Sequence, residues 1–214
     1  MKTDLGAIVR TFPREVPVIP LAEAVLFPGA VLPLHIFEPR YRTMVADLLA
    51  GEGLVAMALL QQCSREEYRA MPPFHATVCI GRLIDHQPLA GGRSNISLLG
   101  VSAGRATPLE REAPYRVAEV ALVADAQDAE AGWSAPRVER ALGRALADPD
   151  AMPMLIRRLK ELLDEAHIPA ALINTCAFAA PILPRHKLEL LEERSLRRRL
   201  ERLLDLLDRG WQWN

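Results

Sequence analysis

The sequence predicts an α+β fold in which a small, partly closed β-barrel precedes an α-helical bundle. Residues 15–123 hold short apolar runs separated by proline and glycine turns, which is typical of the strands of a small barrel. Residues 124–135 are rich in alanine and aspartate and form a predicted connector. Residues 136–209 repeat leucine at helical spacing, which predicts a C-terminal helical bundle.

The opening segment of the barrel, residues 17–45, is apolar and rich in proline. Because proline lacks an amide donor, it favours sheet edges and turns, so we expect short extended segments joined by sharp turns. Three sites break the apolar run: Pro20, Pro28-Gly29 and Pro33. A helix is predicted from Pro39 to Gly51, since proline suits a first turn and glycine a helix end. Its expected buried face is Tyr41, Met44, Val45, Leu48 and Leu49.

Four more strands complete the predicted barrel. They are residues 54–60, 74–85, 95–101 and 115–123. Residues 61–73 are polar and end in two prolines, which predicts a loop. Residues 90–93 contain two glycines and predict the turn that joins the second of these strands to the third.

Four helices are predicted for the bundle. The first begins at Pro136, and the second covers residues 154–166. The third runs from Pro169 to Ala180, and the fourth from Arg185 to Asp208. The third is almost entirely apolar and is expected to be buried, and the fourth is amphipathic, with its leucines facing inward.

Composition and charge exclude several function classes. The chain has 214 residues, half of them hydrophobic, which is enough for a substantial core. The net charge of −1 creates no global field that would recruit nucleic acid or an anionic membrane. Three widely spaced cysteines indicate no disulfide framework, and the sequence has neither a signal peptide nor a predicted membrane span. We therefore expect a cytoplasmic protein.

Several motifs of the chain resemble the amino-terminal domain of Lon proteases, the module that selects substrates for an ATP-driven protease. They occur in the family's order: Ile19-Pro20-Leu21, Val25–Gly29, Pro33–Phe37, the helix from Pro39, and strands at 76–80, 95–101 and 115–120. The resemblance implies a PUA-like barrel followed by a helical bundle, and it covers nearly the whole chain. The H-I-F-E-P-R-Y run at residues 35–41 resembles stand-alone members, which lack the ATPase and protease modules.

The resemblance also implies a non-catalytic function, the binding of unfolded or degron-bearing polypeptide or of a partner protein. A separate ATPase or protease is a possible further partner. Such a site needs an apolar groove and a free strand edge. The residues expected to line it are Phe27, Pro28, His35, Phe37, Arg40 and Tyr41. We expect Phe27 to be half-exposed because it lies at a turn, whereas a core position is favoured for Phe37 and left open for Tyr41.

The sequence contains no pattern that predicts a catalytic residue, a metal or a cofactor. None of its three lysines follows a glycine, as a P-loop requires, and Lys160 and Lys187 are expected on helix surfaces. No two histidines have the H-x-x-x-H spacing of a zinc site.

Two alternative functions remain open. Arg194, Arg198 and Arg202 recur every four residues and would suit a nucleic-acid-binding PUA-like module, although interleaved acidic residues favour a solvated helix face. Cys79 and His75 share one face of a strand and would suit a hydrolase, although a buried core cysteine is the favoured interpretation.

Overall fold

The computed structural model describes residues 12–125 and 169–208. They divide into a sheet unit within Met1–Ala124 and a helical unit within Asp125–Asn214. The predicted α+β class is confirmed. The connector after Asp125 and the first two predicted helices lie outside the described residues, so the domain boundaries stay predictions. Within the described ranges, no helix is long and apolar enough to cross a membrane.

In the described part of the sheet unit, six strands form one sheet. They are β1 Glu15–Leu21, β2 Val31–Ile36, β3 Leu54–Leu60, β4 Phe74–Pro88, β5 Ser94–Pro108 and β6 Arg116–Val123. The strand order is β2-β5-β4-β3-β1-β6, and β5 also pairs with β6. This last pairing closes five strands into a ring and leaves β2 outside it as an edge strand. The interpretation of the ring as a PUA-like barrel stays a prediction.

A cluster of buried apolar side chains draws on all five ring strands. Its members from β1, β3 and β4 are Val16, Val18, Leu54, Ala56, Ala58, Phe74, Val78 and Ile80, and those from β5 and β6 are Ala106, Ala118 and Val120. None of the cluster's described members comes from β2. β2 therefore lies outside this cluster, although its Leu32 and Ile36 side chains are also buried.

β1 is an interior strand of the sheet although it contains two prolines. Sequence reasoning favours an edge position for it, but β1 lies between β3 and β6. Its first half, through Val18, pairs with β6, and its second half, from Val18, pairs with β3. Pro17 and Pro20 therefore each lie where only one neighbour is paired, and a missing amide donor is tolerated there.

Residues 12–125 contain two α-helices of the sheet unit. Helix α1, Pro39–Ala50, matches the prediction, although the expectation that Leu49 is buried is wrong, since this side chain is 51% exposed. Helix α2, Arg65–Ala70, occupies the predicted loop. Ser64 and Glu67 form a capping box at its start, and this S-x-x-E signal is present in the sequence.

The helical unit contains α3 Pro169–Ala179, α4 Pro184–Glu192 and α5 Leu196–Asp208. The prediction of one helix from Arg185 to Asp208 is wrong, because residues 193–195 are not helical and separate α4 from α5. Ser195 caps α5 through its side chain, which accepts a hydrogen bond from Arg198 N–H (3.3 Å). Arg199 Nε donates to the carbonyl groups of Leu190 (2.9 Å) and Glu193 (3.1 Å) at the end of α4.

Candidate functional site

The turn from Phe27 to Ala30 precedes β2 and is anchored on β5. Ala30 N–H donates to Phe27 C=O (3.0 Å), with Pro28 and Gly29 between them and a φ of 86° at Gly29. Proline followed by a glycine of positive φ is the sequence of a type II turn. Gly29 N–H donates to Gly100 C=O, and Gly100 N–H donates to Ala30 C=O, both at 2.8 Å.

This anchoring buries Phe27 completely, at 0% exposure. The expectation of a half-exposed side chain is therefore wrong. A Cβ atom on Gly100 would lie 2.0 Å from the carbonyl oxygen of Phe27, so only glycine allows the turn to approach β5 this closely. Pro28 stays half-buried at the turn. Phe27 holds the segment in place and is not accessible to a ligand.

Arg40 is enclosed at the junction of α1 and α2. Its guanidinium Nε donates to Glu38 Oε2 (3.0 Å) and its Nη1 donates to the carbonyl oxygen of Tyr68 (2.7 Å). The Tyr68 hydroxyl donates to Glu38 Oε1 (3.0 Å). The guanidinium also lies 4.7 Å from the ring centroids of both Tyr41 and Tyr68. These contacts tie α2 to the start of α1 and leave Arg40 committed to the fold.

Tyr41 lies inside the same cluster. Its side chain is buried, and burial, as the largest cause, raises the pKa of its hydroxyl well above the ordinary value. Burial and the hydrogen bond to Glu38 likewise raise the pKa of Tyr68. Both phenols are therefore neutral throughout the physiological range, and Tyr41 faces the interior.

The end of β2 has the opposite character, because its aromatic side chains lie on the surface. Phe37 is 59% exposed, so the favoured core position is wrong for this residue. Its ring stacks on His35, with the centroids 6.1 Å apart and the planes inclined by 23°. His35 Nδ1 lies 2.8 Å from Asn95 Oδ1 on β5. Phe37 therefore stacks on a histidine that is itself hydrogen-bonded to β5, while its own ring stays accessible to solvent.

A shallow concavity of about 340 Å³ lies beside this pair. It crosses three strands and is lined by Pro33, Leu34, His35, Asp85, Gln87, Asn95, Ile96 and Ser97. The register pairs Pro33 with Ser97 and His35 with Asn95, and continues to Asp85 and Gln87 on β4. The exposed face of β2, β5 and β4 therefore offers amide, hydroxyl and carboxylate groups next to one exposed aromatic ring.

The six expected binding residues thus separate into three groups. His35 and Phe37 lie together on the exposed face, Pro28 lies at the anchored turn, and the remaining three are buried or committed to internal contacts. Sequence reasoning missed Asn95 and Ser97 as part of the surface. Their alternation with buried Ile96 and Leu98 is the signal that identifies them.

The structure gives little support to a Cys79 hydrolase. Cys79 is buried at 0% exposure, so a substrate has no access to the thiol. The described ranges 12–125 and 169–208 contain no group of three or more side chains that could hold a metal.

The arginine residues of α5 also differ from a free basic stripe. Arg202 pairs with Glu189 (2.6 Å) and Arg197 with Glu201 (3.1 Å), both at the surface, as expected for a solvated face. Arg199 is the exception, with 1% of its side chain exposed. It binds Asp125 through both carboxylate oxygens (2.6 and 3.2 Å) and Asn174 Oδ1 (2.6 Å).

The expectation that Lys187 lies on a helix surface is wrong. It is not a surface lysine, because its side chain is half-buried against Phe178 and its Nζ donates to the Phe178 carbonyl near the end of α3. Burial lowers the pKa of the ammonium group to about 8.

Comparison with protein families shows which family the chain belongs to. The sequence profile of the ATP-dependent protease La (LON) substrate-binding domain matches residues 15–209. The chain belongs to this family. The family is one of substrate recognition in Lon proteases, and the match includes the sheet unit and nearly all of the helical unit.

Curated relatives place this domain within longer proteins. The chain is 28% identical over 205 residues to Lon protease 2 of Myxococcus xanthus and 26% identical over 202 residues to Lon protease of Anaeromyxobacter dehalogenans. Each match includes 92% of this chain but only 24% and 23% of those relatives. The chain thus spans about a quarter of their length, and their protease region is not matched.

Solved structures support the fold. The N-terminal domain of Mycobacterium avium complex Lon protease matches 92% of this chain and 100% of its own length, with a TM-score of 0.59 and 20% identity. The Lon N-terminal domain protein from Xanthomonas campestris matches 89% of this chain and 97% of its own, with a TM-score of 0.61 and 23% identity.

Proposed function

We propose that the protein binds unfolded or degron-bearing polypeptides without catalysing a reaction, at the surface formed by the end of β2 and the neighbouring face of β5 and β4. Family membership supports the general class, because the family recognises substrates for Lon proteases. We further propose that the sheet is a PUA-like barrel and that the protein acts in the cytoplasm, where its three free cysteines would stay reduced.

The observation that carries the proposal is the exposed Phe37 ring stacked on His35 at an edge strand. An exposed aromatic side chain beside polar groups is a common anchor for peptide binding, because the ring contributes apolar contact at a low entropic cost. Phe27, Arg40 and Tyr41 are buried or make internal contacts and would hold the segment in position, and Pro28 lies in the turn that leads into β2.

Discrimination between unfolded and folded protein tests the proposal. Fluorescently labelled lactalbumin, reduced and carboxymethylated so that it stays unfolded, is titrated with the protein and followed by anisotropy. Native lactalbumin with its disulfides intact is the control. We expect saturable binding of the unfolded form only, and equal binding of both forms, or of neither, would contradict the proposal.

Salt dependence separates this function from nucleic-acid binding. Capture through an aromatic ring and main-chain groups should change little between low and moderate salt, because few charges are neutralised. Binding to a single-stranded RNA oligonucleotide through arginine would weaken steeply with salt. The ion pairs of Arg197 and Arg202 argue against the second behaviour.

A further inference from the structure

The main-chain groups along the free edge of β2 point to a mode of polypeptide capture. Two hydrogen bonds establish the direction of these groups. Gly100 N–H donates to the carbonyl of Ala30 on the β2 side, and Leu89 N–H donates to the carbonyl of Arg93 on the β4 side. Since the main-chain groups of an antiparallel strand alternate between its two sides, even-numbered residues of β5 face β2.

The register then assigns each residue of β2 to one side. It is unbroken from the Val31–Leu99 pair to the Ile36–Ser94 pair. The residues whose main-chain groups face β5 are therefore Leu32, Leu34 and Ile36, and those facing the free edge are Val31, Pro33 and His35. No other strand of the described residues pairs with this edge.

Pro33 occupies the middle of the free edge. Because proline has no N–H, the edge offers both a donor and an acceptor at Val31 and His35 but only an acceptor at Pro33. Pro33 and His35 are exposed and Val31 is half-buried, so an extended chain can reach them. A proline at this position also fits the rule that prolines in sheets direct their missing donor outward.

We propose that β2 captures an extended polypeptide as an added strand, and that Pro33 weakens this capture by withholding one hydrogen-bond donor. This inference rests on the proposed function and specifies how the same surface would perform it. Main-chain recognition tolerates many side-chain sequences, while alternate side chains of the bound strand would lie on the face that carries His35 and Phe37. The interrupted ladder would make binding weak enough for release.

Restoring the missing donor tests the inference. The probe is a fluorescein-labelled short peptide of alternating valine and threonine, flanked by lysines for solubility. Pro33→Val supplies an N–H at the edge and should tighten binding of this peptide about three- to tenfold, the effect of one added hydrogen bond. Thr107→Val is the matched control, since it introduces the same side chain at an exposed position of β5 that pairs with β6, away from β2 and without a new edge donor. We expect it to change the affinity less than about twofold.

A second peptide tests the same main-chain hydrogen bonds by removing donors from the ligand instead of adding one to the protein. The same sequence N-methylated at every residue has no amide donors, and its binding to the unsubstituted protein should fall by roughly tenfold or more. Unchanged affinity of Pro33→Val with intact melting, or equal binding of the methylated peptide, would overturn strand addition. The proposed function fails separately, if unfolded lactalbumin does not bind at all.

Discussion

The turn at Phe27 and the end of β2 at Phe37 belong to one short segment, yet their aromatic side chains have opposite environments. Phe27 is buried because its turn is bonded to Gly100 on β5, whereas Phe37 is 59% exposed although it follows a regular strand. Turn or strand position alone therefore does not determine exposure. The long-range main-chain contacts of the segment do, and they separate residues that support the surface from residues that form it.

The largest expected difference between the two regions is in stability. Phe27→Ala should lower the free energy of unfolding by about 3–5 kcal/mol, because it leaves a cavity in a fully buried site. Phe37→Ala should change it by less than about 0.5 kcal/mol, as for most surface substitutions. Chemical unfolding followed by circular dichroism measures both, and similar values for the two variants would remove the contrast.

The same contrast is expected between neighbouring arginines of α5. Arg199→Ala leaves Asp125 and the carbonyl groups of α4 without their partner, and should destabilise the helical unit by about 3–5 kcal/mol. Arg198→Ala is the exposed control and should have almost no effect. Equal thermal unfolding of the two variants would show that the buried guanidinium is not the anchor that its contacts indicate.

Lys187 provides a test that depends on pH. Its folded pKa of about 8 lies below the ordinary value of 10.5, so between these two values the unfolded chain binds more protons. The free energy of unfolding should therefore rise with pH across this window, by at most about 3 kcal/mol from this group. Below about pH 8 both states are protonated, so this pH dependence ends and the cost of burying the charged ammonium group is present in full.

Lys187→Met removes this titration and is the comparison that isolates it. The difference in unfolding free energy between the two proteins should shift in favour of the unsubstituted chain as pH rises from 8 to 10.5. Parallel curves would place Lys187 in solvent, as the sequence alone predicts.

The smallest expected effect concerns the support beside the exposed surface. Tyr68→Phe removes the hydroxyl that donates to Glu38 and should cost about 0.5–1.5 kcal/mol. Arg69→Ala, on the same helix but exposed, serves as control. Equal unfolding midpoints for these two variants would mean that the Glu38–Arg40–Tyr68 cluster does not hold α2 in place.

Local signals in the sequence predict much of the fold. Prolines, glycines and apolar alternation locate the strands and α1, since each depends on neighbours a few residues away. The capping box at Ser64 was available to predict α2. The position of Arg199 was also readable, because it lies three residues after Leu196 and four before Leu203, on the apolar face of the helix.

The candidate site is less predictable, because it depends on contacts between distant residues. His35 and Phe37 were expected site residues, but their exposure follows from the pairing of β2 with β5 and from its position outside the ring. The burial of Phe27 depends on Gly100, which no local pattern connects to it. The sequence therefore predicts a candidate segment, and the structure shows which of its side chains are exposed and which are buried.

The affinity of Phe37→Ala for unfolded lactalbumin tests the central claim most directly. Leu49→Ala is the matched control, because it removes another large exposed apolar side chain, on α1. The account predicts that Phe37→Ala weakens binding by about tenfold or more with unchanged melting, while Leu49→Ala binds like the unsubstituted protein. Undiminished binding by Phe37→Ala, or equal losses in both variants, would contradict the assignment of the binding surface to the end of β2.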